Sequence, residues 1–431
     1  MNADFQCTDI RTWAATYQGA RFHALLCDPP YELGFMGLKW DKAGIAFDPE
    51  AWAALATCLL PGAFGFAFAS SKGWHRVACA IEDAGLRMHP SVFMLGWAYG
   101  SGFPKATRLG EPFHEHRYGG QVLKPALEPI LCFQKPHDTG ERTRNSIHHN
   151  GTGALNVEAG RIGDAGRWPA NIALVHSPEC RFVGDATVAG KGHFPRARGS
   201  STFARNSSES EERDVGEESV PQYDCVAGCP VRELDEQSGA AGAFAPVRGT
   251  EPSADGFSGP VYGSQKSRVG GGPFYGDAGG ASRFFMNANW SAETEERIAG
   301  CASFLYEPKV DRDERNCGVS GEPKPLLWSS GTGNPGAFQS DSTDRSARNP
   351  HPTLKPIALS EWLAKLLLPP RVYAPRRLLV PFAGAGSEVI GAIRAGWDEV
   401  VAVEQDEASV RIAEERLRWW KAQGVQEALF S

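Results

Sequence analysis

Seven consecutive residues, Leu25-Leu26-Cys27-Asp28-Pro29-Pro30-Tyr31, gather the groups needed to hold a planar ring that carries an amino group. The Asp28 carboxylate and the Pro29 backbone carbonyl can accept the two amino hydrogens, and Tyr31 can stack on the ring. A proline-rich turn after a strand would look the same, so this stretch needs support from elsewhere. Leu378-Leu379-Val380-Pro381-Phe382-Ala383-Gly384-Ala385-Gly386-Ser387 supplies it. Gly384 and Gly386 let a backbone approach a ligand closely at a helix N-terminus. A strand from Val400 to Val403 then ends in Glu404, where an acidic side chain accepts hydrogen bonds from ribose hydroxyls in nucleoside-binding βαβ units. No third glycine follows at the spacing of a dinucleotide fingerprint. A nucleoside without a pyrophosphate fits better, and S-adenosylmethionine is such a ligand. A further group, His176, Cys180, Cys225 and Cys229, pairs His-x3-Cys with Cys-x3-Cys across a long loop. That pattern fits a tetrahedral structural zinc site, although pairs of this kind also arise by chance.

Positioning these groups requires an α/β framework. The apolar run Ala24 to Cys27 reads as a buried parallel strand, and two prolines stop it. Asp28 therefore lies on a stiff loop at a strand's carboxyl end, where open α/β sheets place their ligands. From that loop it should be removable without loss of the fold. Phe5 to Thr8 reads as a short strand ending in Asp9. Asp48-Pro49 reads as an N-cap and first helical position, with Trp52, Leu55 and Leu59 at helical spacing until Pro61-Gly62. A strand over Phe64 to Ala69 follows, then a helix with Trp74, Val77, Ala78 and Ile81 on one face and Gly85 as its stop. Val92 to Leu95 and Ile130 to Phe133 complete this half as strands. Nearer the C-terminus a helix over Ile357 to Leu368 precedes the glycine turn, Val389, Ile390 and Ile393 line the next helix, and a last helix runs from Ala408 to Trp420. Strand and helix alternate as in a doubly wound sheet.

Between Gln134 and Asn349 that alternation is lost. Residues 239–282 are rich in glycine, serine and proline, and residues 318–349 are polar, as in long loops. The chain therefore divides into residues 1–135, an insertion over 136–349, and residues 350–431. Basic residues gather in the insertion (Arg142, Arg144, Arg161, Arg167, Lys191, Arg196, Arg198 and Arg205), and acidic ones follow from Glu209 to Glu218. The basic run could neutralise phosphates; a mixed-charge surface loop is the plainer account. Glu32 to Asp41 holds Phe35, Met36 and Trp40 among glycines, a loop able to close over a base or to pack on the sheet.

At 431 residues and 42% apolar content, the chain can bury a sizeable core plus an insertion. No apolar run approaches the roughly 18 residues of a membrane span, and the N-terminus has neither the basic start nor the apolar stretch of a secretory signal. With ten scattered cysteines, this reads as a cytoplasmic protein with reduced thiols and no membrane partner. A net charge of −7 argues at first against a nucleic-acid partner, but the clustering of basic residues outweighs the sum.

Together with His351-Pro352-Thr353-Leu354-Lys355-Pro356, the two motifs resemble the signatures of the β group of DNA amino-methyltransferases, the N-4/N-6 family, in which the catalytic motif precedes the cofactor motif. Further stretches resemble phage and prophage adenine methylases: Gly34 to Asp41, Gly100 to Lys105, Leu123 to Pro129, Gly151 to Asn156 and Asp235 to Gly239. The resemblance implies a Rossmann-like, doubly wound, mostly parallel seven-stranded sheet in permuted motif order, with a loop-rich inserted target-recognition region. It implies S-adenosylmethionine as cofactor, double-stranded DNA as partner, and methyl transfer to N6 of adenine in a flipped base. Asp28, Pro29, Pro30 and Tyr31 would be the catalytic set. Asp9, Asp28, Thr353, Lys355, Phe382, Gly384, Gly386 and Glu404 would hold the cofactor, with Asp9 at its adenine and Thr353 and Lys355 at its methionine end. N4-cytosine methylation needs the same geometry, and a catalytically inactive DNA-binding module is an alternative of another class. The family often carries an aspartate where this chain has Val380, so the contact it would make must come from elsewhere, such as Asp28.

Overall fold

The computed structural model describes residues 2–32, 44–88, 94–99, 105–123, 125–138, 143–161, 169–177, 180–189, 217–238, 257–259, 263–265, 280–287, 312–321, 324–325, 346–347, 349, 351 and 354–430. The elements that build the site are, in chain order, β1 (Asn2–Cys7), α1 (Ile10–Thr16), β2 (Phe22–Cys27), α2 (Pro49–Thr57), β3 (Leu59–Phe68) and α3 (Trp74–Asp83). Next come β4 (Met94–Tyr99), β5 (Leu127–Gln134), β6 (Ile172–Val175), β7 (Arg181–Ala189), β8 (Glu217–Asp224), α4 (Pro230–Ser238) and β9 (Met286–Asn287). The chain closes with α5 (Ile357–Leu367), β10 (Arg377–Pro381), α6 (Ser387–Ala395), β11 (Glu399–Glu404) and α7 (Glu407–Phe430). No helix among the described residues is long and apolar enough to cross a membrane.

One mixed sheet organises them, in the order β1-β11-β10-β2-β3-β5-β4-β6-β9. The five strands from β1 to β3 run parallel. β5 is antiparallel to both β3 and β4, and β6 and β9 then continue parallel to β4. The doubly wound, mostly parallel reading holds, with β1 beside β11 and Cys7 opposite Glu404. The sheet is larger than the seven strands expected: with the two-residue strand Arg87–Met88 on β5 it has ten. The extra width comes partly from the insertion, whose β6 and β9 pair at the edge that β4 would otherwise leave open.

Side-chain alternation divides the core between two faces. Ala24 and Leu26 of β2 pack with Trp362, Leu363, Val389 and Ile390 from α5 and α6. Leu25 and Cys27 pack on the other side with Trp13, Trp52, Leu55, Val77 and Ile81 from α1, α2 and α3. The Asp48 carboxylate caps α2 by accepting from the Glu50 amide at 3.0 Å, with Pro49 in the first turn. That helix ends at Thr57 rather than reaching Pro61, and β3 begins at Leu59, five residues before the expected start. Pairing with β2 jumps from Leu59 to Phe64, and this irregularity absorbs Pro61 and Gly62 inside the strand. β4 and β5 likewise extend beyond the runs expected for them, to Tyr99 and to Leu127–Gln134. Gly391 lets α6 lie against α5, since a Cβ there would come within 2.6 Å of the Glu361 backbone nitrogen.

Candidate active site

β2 lies between β10 and β3, so the loop leaving Cys27 opens at the centre of the sheet's carboxyl edge. There the Asp28 Oδ2 carboxylate oxygen accepts from the ammonium of Lys355, whose side chain is only 2% exposed. Glu128, also buried, places Oε2 4.0 Å from the same nitrogen and accepts from the Tyr31 hydroxyl at 3.1 Å. The ammonium stands 5.2 Å from the Tyr31 ring centroid and 4.7 Å from that of Phe68, within cation–π reach. One lysine thus ties the proline loop, β5 and the segment before α5 into a single polar cluster. Asp28 Oδ1, the second oxygen, is buried near the Tyr31 hydroxyl, which donates to Glu128 instead, and among the described residues no other group donates to it. A buried carboxylate oxygen left unpaired is costly, and such an atom is suited to accept from an incoming amino group.

Glu388, in the first turn of α6, is buried beside this cluster. Burial first, and the Asp28 charge second, push its carboxyl up to about 7. Burial and the same charge push the Tyr31 hydroxyl well up, which keeps it a neutral donor. Burial also raises the Cys27 thiol well up, and its side chain packs into the core, so no cysteine nucleophile stands next to Asp28.

The glycine turn follows β10. Gly384 and Gly386 have φ of +48° and +81°, in the left-handed region. Packing demands glycine there too: a Cβ on Gly384 would lie 2.9 Å from His351 Nε2, and one on Gly386 2.9 Å from the Ala413 Cβ of α7. His351 therefore seats the second signature on the third. Glu404 at the end of β11 accepts from the Gly384 amide through Oε2 and from the Asp406 amide through Oε1, both at 2.9 Å. Each oxygen keeps a lone pair for a hydroxyl. From α7 the buried Arg416 donates to the Ala385 carbonyl at 2.5 Å, fixing the turn from below. Among the described residues two non-glycines adopt positive φ, Glu32 at 55° and Phe382 at 59°. One follows Tyr31 and the other opens the glycine turn, and such strain concentrates at functional loops. The Glu32 carboxylate accepts from the Gly44 and Ala46 amides at 2.7 and 3.4 Å.

The segment before α5 is braced by a five-residue helix, Arg312–Asn316. Arg315 donates to the His351 carbonyl at 2.6 Å, Asn349 donates to the Arg315 carbonyl at 3.1 Å, and the Ile357 amide donates to Glu314 at 2.5 Å. Asp9 stands at the end of β1 beside β11, but its carboxylate caps α1, accepting from the Arg11 and Thr12 amides at 2.9 and 3.3 Å. Val380 is fully buried in the core. Thr353, the loop over 33–43 and most of the basic run of the insertion lie outside the described residues. Glu128 and Glu388 are absent from the residues expected at the site. Glu128 lies within the apolar strand around Ile130 and Glu388 two residues after Gly386, placements that alone assign neither a role. Away from this edge, His176, Cys180, Cys225 and Cys229 come together, with their ligand atoms all within 4.8 Å of one another.

No family model matches the chain. Over 108 residues it is 31% identical to the Type II methyltransferase M.HindIII of Haemophilus influenzae, a match covering 23% of this chain. The chain spans about a third (34%) of the length of that curated relative. Similar solved structures include the M1.HpyAVI complex with SAM, at 10% identity and a TM-score of 0.36, covering 96% of this chain and 100% of that one. The cytosine-N4-specific PvuII DNA methyltransferase is similar at 9% identity and a TM-score of 0.40, covering 96% of this chain and 86% of that one. A DNA modification methylase of Thermus thermophilus, complexed with S-adenosyl-L-methionine, has 12% identity and a TM-score of 0.34, covering 97% of this chain and 94% of that one.

Proposed function

We propose that the chain is an S-adenosylmethionine-dependent DNA methyltransferase that modifies an exocyclic amino group in double-stranded DNA, N6 of adenine. The observation that carries this reading is the Asp28 carboxylate on the loop after β2, one oxygen held by Lys355 and the other, Oδ1, buried with no donor committed to it among the described residues. Because Lys355 holds the one oxygen, the other is aimed rather than loose. It would accept one hydrogen of the amino group, and the Pro29 carbonyl the other. This pairing draws the nitrogen lone pair out of conjugation and makes it nucleophilic. Tyr31 would flank the ring. The base cannot be reached within a stacked duplex, so it must be turned out into the site.

The residues around the glycine turn fit a nucleoside cofactor. Glu404 would receive the ribose hydroxyls, Gly384, Gly386 and Phe382 would shape the approach, and Thr353 and Asp9 would complete the two ends. When bound, S-adenosylmethionine supplies an electrophilic methyl group on a sulfonium. The chain contributes positioning and a preorganised polar cluster, with no covalent link to the protein. Incubating the protein with tritiated S-adenosylmethionine and mixed-sequence duplex DNA, followed by mass analysis of the nucleosides, tests this. N6-methyladenine is the expected product. N4-methylcytosine would move the same chemistry to the other base, and an unmodified duplex bound by the protein would favour the inactive module.

A further inference from the structure

His176 follows β6, Cys180 lies just before β7, Cys225 follows β8, and Cys229 immediately precedes α4. The ends of an antiparallel hairpin therefore bring two ligand pairs face to face, since β7 and β8 pair from Arg181 opposite Asp224. Tight turns shape both pairs, with the Cys180 amide donating to the Ser177 carbonyl at 2.9 Å and the Cys229 amide to the Val226 carbonyl at 3.3 Å. His176 Nδ1 is 3.2 Å from Cys225 Sγ and 3.4 Å from Cys229 Sγ. Bonds of about 2.1 Å to nitrogen and about 2.3 Å to sulfur in a tetrahedron place those atoms roughly 3.5 Å apart. The His176 ring is held in place by Tyr223, stacked 4.0 Å away. Arg232 donates to the Cys225 carbonyl at 3.0 Å, which fixes the second ligand pair against α4. The three thiols are unbridged.

The apolar core at this place is small. Leu174, Cys229 and Val231 are its buried members, with Phe285 and Leu234 packed on them. Yet it is the seam between the sheet edge, through Leu174 of β6, and the hairpin with α4. Asp235 of α4 extends the seam by accepting from the amide and hydroxyl of Ser282, both at 2.7 Å. A seam with so little buried area needs a further cross-link. We propose that His176, Cys180, Cys225 and Cys229 bind one zinc ion that fastens the hairpin and α4 to the edge of the catalytic sheet. The metal assignment stands on these ligands alone; its bearing on DNA rests on the methyltransferase reading. The ion would hold the inserted region in register with the sheet while the cofactor half, at the opposite edge, does not depend on it.

The full chain, purified without a chelator or histidine tag and passed over a desalting column after incubation with zinc, is analysed for metal by mass spectrometry. About one zinc per chain is expected, with the metal lost in Cys225→Ser and Cys229→Ser. Should those variants fail to fold, alkylation of the unmutated protein decides: zinc should protect Cys180, Cys225 and Cys229, and chelation should expose those three and no buried core cysteine. Cobalt(II) in place of zinc should give the absorption of a tetrahedral thiolate site. A folded chain that retains no stoichiometric zinc, or unchanged zinc in the serine variants, overturns the proposal. Disulfide formation among the three cysteines in the freshly isolated protein would also overturn it. In parallel, S-adenosylmethionine affinity should be unchanged by chelation while duplex binding is lost. Zinc at full stoichiometry with no binding of S-adenosylmethionine or DNA would leave the metal site standing and remove the methyltransferase reading instead.

Discussion

Asp28 extends from a loop, yet it is anchored from the opposite end of the chain. Its carboxylate and the Lys355 ammonium form a buried ion pair, with side chains 11% and 2% exposed. Removing one partner of such a pair leaves a buried charge behind, a loss of about 3–5 kcal/mol where no other group compensates. Glu128, 4.0 Å from the same ammonium, supplies partial compensation. Asp28→Ala is therefore expected to lower the unfolding free energy by about 2–3 kcal/mol as well as abolish methyl transfer. That cost is larger than its place on a loop alone would suggest, while still leaving the fold in place. Urea titration and tritium incorporation read the two effects, and near-normal transfer would remove Asp28 from the chemistry. Glu388 gives a second test through pH. Its folded value of about 7 lies above the unfolded 4.5, so the native state binds more protons between these limits. The associated stability is present below pH 4.5 and lost as pH rises through 7, on the order of 3 kcal/mol in all. His23, lowered to about 4 by burial, gives the opposite slope, since the unfolded chain takes up its proton from pH 6.5 downwards. Comparing Glu388→Gln with the unmutated chain cancels that background. The variant should be the more stable at pH 8 and the difference should shrink towards pH 4.5. A difference independent of pH would place the Glu388 carboxyl in the ordinary range.

At the scale of elements, β1 and β11 bring Asp9 and Glu404 to neighbouring strand ends, but the two carboxylates have different duties. Asp9 also caps α1, so Asp9→Ala should cost about 1 kcal/mol of stability and weaken cofactor binding less than Glu404→Ala does. Glu404 organises the glycine turn by accepting from the Gly384 and Asp406 amides. Glu404→Ala should weaken S-adenosylmethionine binding by about tenfold to a few hundredfold, the loss of charge-assisted hydrogen bonds of roughly 1.5–3 kcal/mol each. Calorimetric titration of both variants checks the order, and equal losses would give the two carboxylates equal shares in holding the cofactor. The same elements show what could be read in advance. β2, β10 and β11 each carry a short apolar run, Ala24–Cys27, Leu378–Pro381 and Val400–Val403, before a turn, so their strands and loops were legible from residue types alone. The four zinc-type ligands were legible through spacing. The slot of β5 between β3 and β4 was not, because an antiparallel strand has the same local pattern as a parallel one. β6 and β9 are four and two residues long and owe their place to pairing with distant partners. Glu128 and Glu388 escaped because their roles arise from convergence on Lys355 and Asp28, which no local window contains.

The sheet that organises the described residues has one edge, β1 beside β11, drawn from the two ends of the chain, and its far edge, β6 and β9, drawn from the middle. Excising residues 169–321 would uncover β4 and remove the Glu314 and Arg315 bonds that brace the segment before α5. Such a chain should aggregate, as exposed edges do. A monodisperse product on size-exclusion chromatography that still binds S-adenosylmethionine would show that the remaining strands are sufficient. The Lys355 contact has a consequence in time. This lysine is 327 residues later in the chain than Asp28. At about 5–20 residues per second, a ribosome needs roughly 15 to 65 seconds to make the stretch between them. Throughout that interval Asp28 and Glu128 lack their shared cation, and β2 lacks β10 along one side. The nascent catalytic half must wait as an unfinished sheet with an open edge, the state that chaperones engage. The Asp28 carboxylate is set only when Lys355 and β10 arrive, so a chain broken off before Lys355 lacks the assembled polar cluster.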